Sequence, residues 1–343
     1  MEMAYLRVRQ HKYTRKSQYV TMGQNEIRED PLTGELVILS AERAKRPSDF
    51  VHEKTLAKTR KVDKACFFCV GNEDKTPPTI QKLGSPWRIR VFENKFPAVS
   101  PRLRFGFSGE LFRGTPAYGH HEIIVETNEH SKQPQDMSAK ELSDLLKVYQ
   151  DRERAQYQDR LIRSAMIFRN HLAGGGASLS HGHSQMISLP LVMPRLLVEK
   201  KKYDEHREKS GHCIYCDLML REKLDVRLVA ETENYVVLAP YASKWAFQSM
   251  IVPKEHEPCF CNSKLHEFNE ALLRLFRMYD RILANPPYNF FIHSMKSDFH
   301  WHFEFWPVLQ TPAGLEKGAD TYINTMPPEN AAAELREAWK KAK

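Results

Sequence analysis

The chain has 343 residues, 41% of them hydrophobic and 27% charged, with a mean hydropathy of −0.56; no apolar run approaches the roughly 18 residues of a membrane-spanning helix, which sets membrane partners aside. Net charge +8 and a pI near 9.0 suit anionic ligands, yet lysines and arginines are spread without a recognition-helix, finger or RNP pattern, so a small phosphorylated ligand is expected and nucleic acid is not. Six cysteines without a secretory signal are expected to be reduced thiols of a cytoplasmic protein, available for metal.

In chain order, residues 1–25 form a basic tail carrying Arg7, Arg9, Lys12, Arg15 and Lys16. The first chemical motif is Cys66-Phe67-Phe68-Cys69. An apolar strand, Glu122-Ile123-Ile124-Val125, leads to His130, and Leu142, Leu145, Leu146 and Tyr149 recur at helical spacing over 139–156. A short strand at Met166-Ile167-Phe168 then approaches Gly174-Gly175-Gly176-Ala177-Ser178 and His181-Gly182-His183-Ser184-Gln185. Side chains alternate along an extended strand, so His181, His183 and Gln185 are expected on one face. The glycines ahead of them would let backbone N–H groups approach an anion and hold a phosphate in line with an imidazole nitrogen. Either motif alone says little; together they predict a site for attack on phosphorus.

After a connection over 189–202, the same order returns. Cys213-Ile214-Tyr215-Cys216 is followed by Met250-Ile251-Val252-Pro253, His256, a helical stretch over 265–284, a strand at Phe290-Phe291-Ile292 and His300-Trp301-His302. Six cysteines in 343 positions would give about 0.1 CxxC pairs by chance, so two copies in matching context imply an internal duplication, with repeats over 26–195 and 196–343. Each repeat is expected to be an antiparallel sheet with a packed helix, the two sharing one α+β core.

Two thiolates and two imidazoles suit tetrahedral zinc. Cys66, Cys69, His130 and His181 form the first predicted set; Cys213, Cys216, His256 and His300 form the second. Four protein ligands close the shell, so both zinc sites are expected to be structural. Redox use of CxxC is the competing reading, and the duplicated histidines favour zinc. Cys259 and Cys261 have no counterpart in the first repeat and are taken as plain thiols. The copies differ where chemistry is decided: no glycine run precedes His300, and Glu304 stands where Gln185 would, placing a carboxylate against any phosphate.

Arg43-Ala44-Lys45-Arg46-Pro47, Cys66-Phe67-Phe68-Cys69-Val70-Gly71-Asn72-Glu73, Phe92-Glu93-Asn94-Lys95-Phe96-Pro97 and the segment from Gly176 through Gln185 resemble the galactose-1-phosphate uridylyltransferase family, the two-repeat branch of the histidine-triad superfamily. The resemblance implies tandem histidine-triad-like repeats and a nucleotidyltransferase working by double displacement through a nucleotidyl-histidine. It implies His183 as nucleophile and Gln185 as its phosphoryl partner. It implies Arg43, Arg46, Asn94, Asn170, Gly176 and Ser178 as nucleotide or phosphate contacts, and Glu316 as a sugar contact. The partners implied are an ADP- or UDP-hexose and a sugar 1-phosphate or phosphate. As in uridylyltransferases that bind iron, the resemblance also implies an alternative second metal site using His293, His302 or Glu304 with Glu199. Asn285-Pro286-Pro287-Tyr288-Asn289 and Gly314-Leu315-Glu316-Lys317-Gly318 look closer to the ADP-glucose phosphorylase branch, and Thr311-Pro312-Ala313 replaces the uridylyltransferase lysine and phenylalanine. A dinucleoside polyphosphate phosphorylase or hydrolase is the alternative activity. The pseudo-twofold repeat also invites a homodimer.

Overall fold

A computed structural model describes residues 25–40, 61–222 and 226–342. Residues 1–24 of the basic tail, with Arg43 and Arg46, lie outside the described residues. The elements of the first half are β1 (Glu26–Glu29), β2 (Leu36–Leu39), β3 (Thr79–Leu83), β4 (Ile89–Glu93), β5 (His120–Val125), α1 (Ala139–Gln156), β6 (Ser164–His171) and β7 (His183–Leu189). Those of the second are α2 (Pro194–Ser210), α3 (Ile214–Glu222), β8 (Leu228–Glu231), β9 (Tyr235–Leu238), β10 (Ser249–Pro253), α4 (Phe268–Leu283), β11 (Tyr288–His293), β12 (His302–Pro307), α5 (Gly314–Ala319), β13 (Tyr322–Asn324) and α6 (Pro328–Lys341).

Ten strands form one sheet in the order β3-β4-β5-β7-β6-β11-β12-β10-β9-β8. Every neighbouring pair is antiparallel. Read outward from the central β6–β11 pair, the order is the same in both directions, so each strand of one half has a counterpart in the other. A small sheet, β1-β2-β13, was not anticipated; in it β13 runs parallel to β2 and ties the two chain ends together.

The helices explain the two faces of the large sheet. α1 begins at a capping box in which Ser138 and Glu141 satisfy each other's backbone N–H groups. Its apolar stripe, Leu142, Leu145, Leu146 and Tyr149, packs with that of α4 over Ile124, Ile167, Met186, Ile251 and Phe303 as one core spanning both halves. α4 starts later than the sequence pattern predicts because Leu265 and His266 take positive φ values of 58° and 24°, which no helix continues through. On the opposite face the halves are covered differently. Cys66, Phe68, Cys69 and Trp87 pack on Phe92, Ile123 and Val125 of the first half. Helices α2 and α3 lay Leu196, Tyr203, Tyr215 and Met219 over Val236, Leu238, Met250 and Val252 of the second.

Candidate active site and metal-binding groups

His181 does not lie on the strand as the alternation predicts. β7 begins at His183, and the His181 carbonyl lies 2.8 Å from His183 Nδ1. A carbonyl only accepts, so Nδ1 carries the ring proton and Nε2 keeps its lone pair. Burial holds His183 below the ordinary histidine range, with the Arg169 charge acting in the same direction, so the ring is neutral. Phe68 meets it edge-on at 5.2 Å between centroids.

Strand register collects the rest of the face. Gln185 pairs with Ile123 on β5 and Phe168 on β6, so His121 and Asn170, each two residues further along, face the same way. The Gln185 Oε1 lies 2.8 Å from His121 Nε2, and Asn94 Nδ2 lies 3.1 Å from the same nitrogen. Asn170 is held through its Oδ1 by Asn289 Nδ2 of β11, at 2.8 Å. A small cavity lined by Glu93, Ser100, Arg102, His120 and His121 opens beside this group. Sequence reasoning passed over His121. Its signal is the alternation along β5, which becomes informative only when the β5–β7 register is known.

Beneath His183, on the helix side, Arg169 and Glu126 form a buried ion pair at 3.0 Å, with side-chain exposures of 2% and 0%. Ser184 donates to Glu126, Tyr149 Oη donates to the same carboxylate at 3.1 Å, and Arg169 reaches Tyr288 Oη at 2.7 Å. This network anchors the backbone on either side of Gly182. A methyl group at Gly182 would stand 3.1 Å from the Lys132 carbonyl and 3.3 Å from Glu126.

The glycine run has another use than the one predicted. The N–H groups of Gly175, Gly176 and Ala177 donate to the carbonyls of Leu172, Ala173 and Leu172, so they are spent within the turn and do not form an anion cradle. A Cβ on Gly175 would lie 2.7 Å from the Tyr288 carbonyl, and Gly174 abuts Pro287. The glycines therefore let the first half approach the backbone of β11.

Both predicted thiol–imidazole sets come together, the four donor atoms of each lying within 4.8 Å of one another. In the first, Cys66 Sγ and Cys69 Sγ lie 3.6 and 3.5 Å from His181 Nδ1, and Cys69 Sγ lies 3.5 Å from His130 Nδ1. His181 Nε2 donates to the Thr127 carbonyl at 2.7 Å, which turns the Nδ1 lone pair towards the thiols. In the second, His300 Nε2 donates to the Pro253 carbonyl at 2.9 Å, and Nδ1 faces Cys213 and Cys216 at 3.5 and 3.6 Å. His256 Nδ1 completes that set at 3.9 Å from Cys216 Sγ. Ligands at about 2.0–2.3 Å from a tetrahedral ion stand about 3.5 Å apart, so both donor sets fit zinc.

The alternative second set proves to be an additional one. Glu199, His293, His302 and Glu304 form a separate buried group beside the second thiol set. Arg195 pairs with Glu199 at 2.7 Å and approaches Glu304 at 3.7 Å. Burial alone would raise the Glu304 carboxyl; the nearby His302, 3.5 Å away, and the Arg195 charge outweigh that and hold it far below the usual range. His302 Nε2 and Glu304 Oε1 nevertheless have no hydrogen-bond partner. Two orphaned buried atoms in an N₂O₂ set fit a borderline divalent ion. Cys259 and Cys261 are not plain thiols: they are joined as a disulfide, near the buried Glu153 of α1.

Two predicted contacts stand apart. Ser178 is exposed on the loop ahead of His181. Glu316 caps α5, accepting from Ala313 N–H at 2.9 Å and Ile323 N–H at 3.4 Å.

Two matching halves in one antiparallel sheet, with His183 and Gln185 of the HxHxQ on β7 and a thiol–imidazole set beside each HxH, are the frame of a nucleotidyltransferase. The N-terminal domain of galactose-1-phosphate uridyl transferase is matched by residues 15–192. An ADP-glucose phosphorylase of Arabidopsis thaliana is 31% identical over 330 residues, covering 91% of this chain and 92% of that protein. A galactose-1-phosphate uridylyltransferase of Thermotoga maritima is 30% identical over 336 residues, 91% of this chain and 98% of that protein. The crystal structure of an ADP-glucose phosphorylase from Arabidopsis thaliana with bound ADP-glucose superposes with a TM-score of 0.79 at 30% identity, over 92% of this chain and 99% of that one. The chain belongs to the galactose-1-phosphate uridyl transferase family. Among the described residues no helix is long and apolar enough to cross a membrane.

Proposed function

We propose that this nucleotidyltransferase splits a nucleotide sugar through a covalent nucleotidyl-His183 intermediate, with ADP-glucose as donor and phosphate as acceptor. The observation that carries this reading is the His183 ring: Nδ1 is tied to the His181 carbonyl, the ring is neutral, and its Nε2 belongs to the face that carries Gln185. In the first half-reaction Nε2 attacks the α-phosphorus; the P–N bond forms as the bond to the sugar-phosphate oxygen breaks, releasing sugar 1-phosphate. In the second, an oxygen of the acceptor phosphate attacks the same phosphorus, the P–N bond breaks, and His183 regains its lone pair. Gln185, a neutral amide, donates to phosphoryl oxygens at every working pH. Asn94, Asn170 and Ser178 contact the nucleotide or its phosphates, Gly176, its N–H spent in the turn, lets them approach by carrying no side chain, Arg43 and Arg46 supply positive charge, and Glu316 takes sugar hydroxyls by turning from its α5 cap.

The acceptor is phosphate because Thr311-Pro312-Ala313 lacks the charged and aromatic side chains that would seat a hexose 1-phosphate. Zinc held by Cys66, Cys69, His130 and His181, and by Cys213, Cys216, His256 and His300, would fix the loop beside each HxH strand. Glu199, His293, His302 and Glu304 would hold iron or another borderline divalent ion. A cytoplasmic location accords with Cys66, Cys69, Cys213 and Cys216 as the free thiols both zinc sets require, while the Cys259–Cys261 disulfide stands apart from both sets.

Mass spectrometry after incubation with ADP-glucose or UDP-glucose alone is the test. A single nucleotidyl adduct mapping to His183 is expected, and no adduct with either donor would overturn the reading. Comparing phosphorolysis with hexose-1-phosphate exchange then identifies the acceptor, and metal analysis of Cys213→Ser counts the zinc ions.

A further inference from the structure

Resting on the double-displacement reading, we infer that His121 is a positioning residue that locks the Gln185 side-chain amide with its nitrogen, rather than its oxygen, facing the phosphoryl group. The Ala98 backbone N–H lies 3.2 Å from His121 Nδ1. A backbone N–H can only donate, so Nδ1 is an acceptor and the neutral ring carries its proton on Nε2. Among the described residues the acceptor recorded for that proton is Gln185 Oε1 at 2.8 Å. With the oxygen bound, both N–H bonds of Gln185 are directed elsewhere on the His183 face. Asn94 follows the same rule: its Oδ1 accepts the Phe96 N–H at 2.9 Å, so its amide nitrogen is a donor, and with the proton on His121 Nε2 the 3.1 Å approach of these two nitrogens is a contact between donors and not a hydrogen bond. Two neutral amides thus present donors alone, the polarity an anion needs. An unrestrained carboxamide would offer oxygen or nitrogen with similar ease, and oxygen repels a phosphate.

The second half carries the same device independently. By strand register, Met250 faces Glu304 as Ile123 faces Gln185, so Gln248 occupies the place of His121. Gln248 Oε1 accepts the Lys244 N–H at 2.9 Å, and its Nε2 donates to Glu304 at 3.4 Å. In both halves a side chain pinned at one end by a backbone N–H turns a donor onto the residue two positions beyond the second histidine. The copy also names the conservative replacement, since a glutamine nitrogen reaches about where the imidazole Nε2 does.

Selective side-chain labelling of glutamine in the substrate-free protein reads the lock directly by NMR, with the Gln185 amide assigned from its loss in Gln185→Ala. In His121→Phe that resonance pair is expected to shift and average, and in His121→Gln to return towards the parent position. In single-turnover assays His121→Phe is expected to slow adduct formation about 10- to 100-fold at saturating donor, with KM changed less than about threefold. His121→Gln is expected to recover most of that rate. In a Gln185→Ala background His121→Phe is expected to cost less than about twofold, because there is no amide left to orient. An unchanged Gln185 resonance in His121→Phe, or a His121→Phe effect that multiplies with Gln185→Ala, would overturn the assignment. A parent protein that forms no adduct would overturn the functional reading instead, and the NMR comparison still decides the role of His121.

Discussion

Strands β7 and β12 are counterparts in the sheet, and they meet different fates. Each opens on the second histidine of an HxH, each first histidine faces a CxxC pair, and the third residue of each CxxC lays an aromatic ring on the second histidine. Phe68 stands 5.2 Å from His183, and Tyr215 stands 4.8 Å from His302. The difference lies in the cover and in one charge. The second site is closed under α2 and α3, with His302 and Glu304 only 0% and 1% exposed, whereas Gln185 of the first remains partly open. Glu304 is drawn into a charged group with Arg195, Glu199 and His293, where the amide of Gln185 faces His121. A duplicated scaffold thus keeps its thiol–imidazole geometry in both copies while the two differ in solvent access and in one carboxylate, the differences on which the proposed phosphate site rests.

The sharpest way to break this comparison is to exchange the histidines' burdens. His183→Ala is expected to abolish the adduct and lower turnover on the order of 10⁴-fold or more, while His302→Gln still forms it; an adduct in the first, read by intact mass, would reverse the assignment. The support under β7 comes next. Arg169→Met strands the Glu126 carboxylate in the core and is expected to cost about 3–5 kcal/mol in denaturant unfolding, with Glu126→Gln in the same chain recovering part of it.

The seam between the halves gives a pH effect. Burial raises Glu153 from the ordinary carboxyl range to about 7, so the folded state favours its neutral form. The stability this group contributes is complete below about pH 4.5 and is lost as pH rises through about 7, a change of about 3 kcal/mol. Melting temperatures from pH 5 to 8 are expected to fall less in Glu153→Gln than in the parent. The smallest effect is expected at Gly175→Ala, where a methyl group 2.7 Å from the Tyr288 carbonyl forces the halves apart at a cost of about 1–3 kcal/mol, measured by thermal unfolding with His183 adduct formation as control.

The duplication, the helix over 139–156 and both thiol–imidazole sets were legible in the sequence because each is written in a short local pattern. The partners of Gln185 were not, because His121 lies 64 residues away and meets it only through strand register. The glycine run misled for a similar reason: its close neighbour is the backbone of β11, more than a hundred residues downstream, and not an anion. His300 and His302, two residues apart, looked like rival ligands for one ion. They serve different groups because β12 begins between them, leaving His300 in the loop that meets Cys213 and Cys216 and His302 on the strand beside Glu199.

The connector of the two halves carries a consequence of its own. α2 is the link from β7 to the second CxxC, and it also supplies Leu196, Tyr203 and Glu199 to the lid over His302. A single linker between two copies cannot be shared symmetrically; it must cross one copy and leave the other without that cover. Fusing the repeats in one polypeptide therefore breaks their equivalence by connectivity alone: the strand that carries His302 lies beneath the linker, and the one that carries His183 does not.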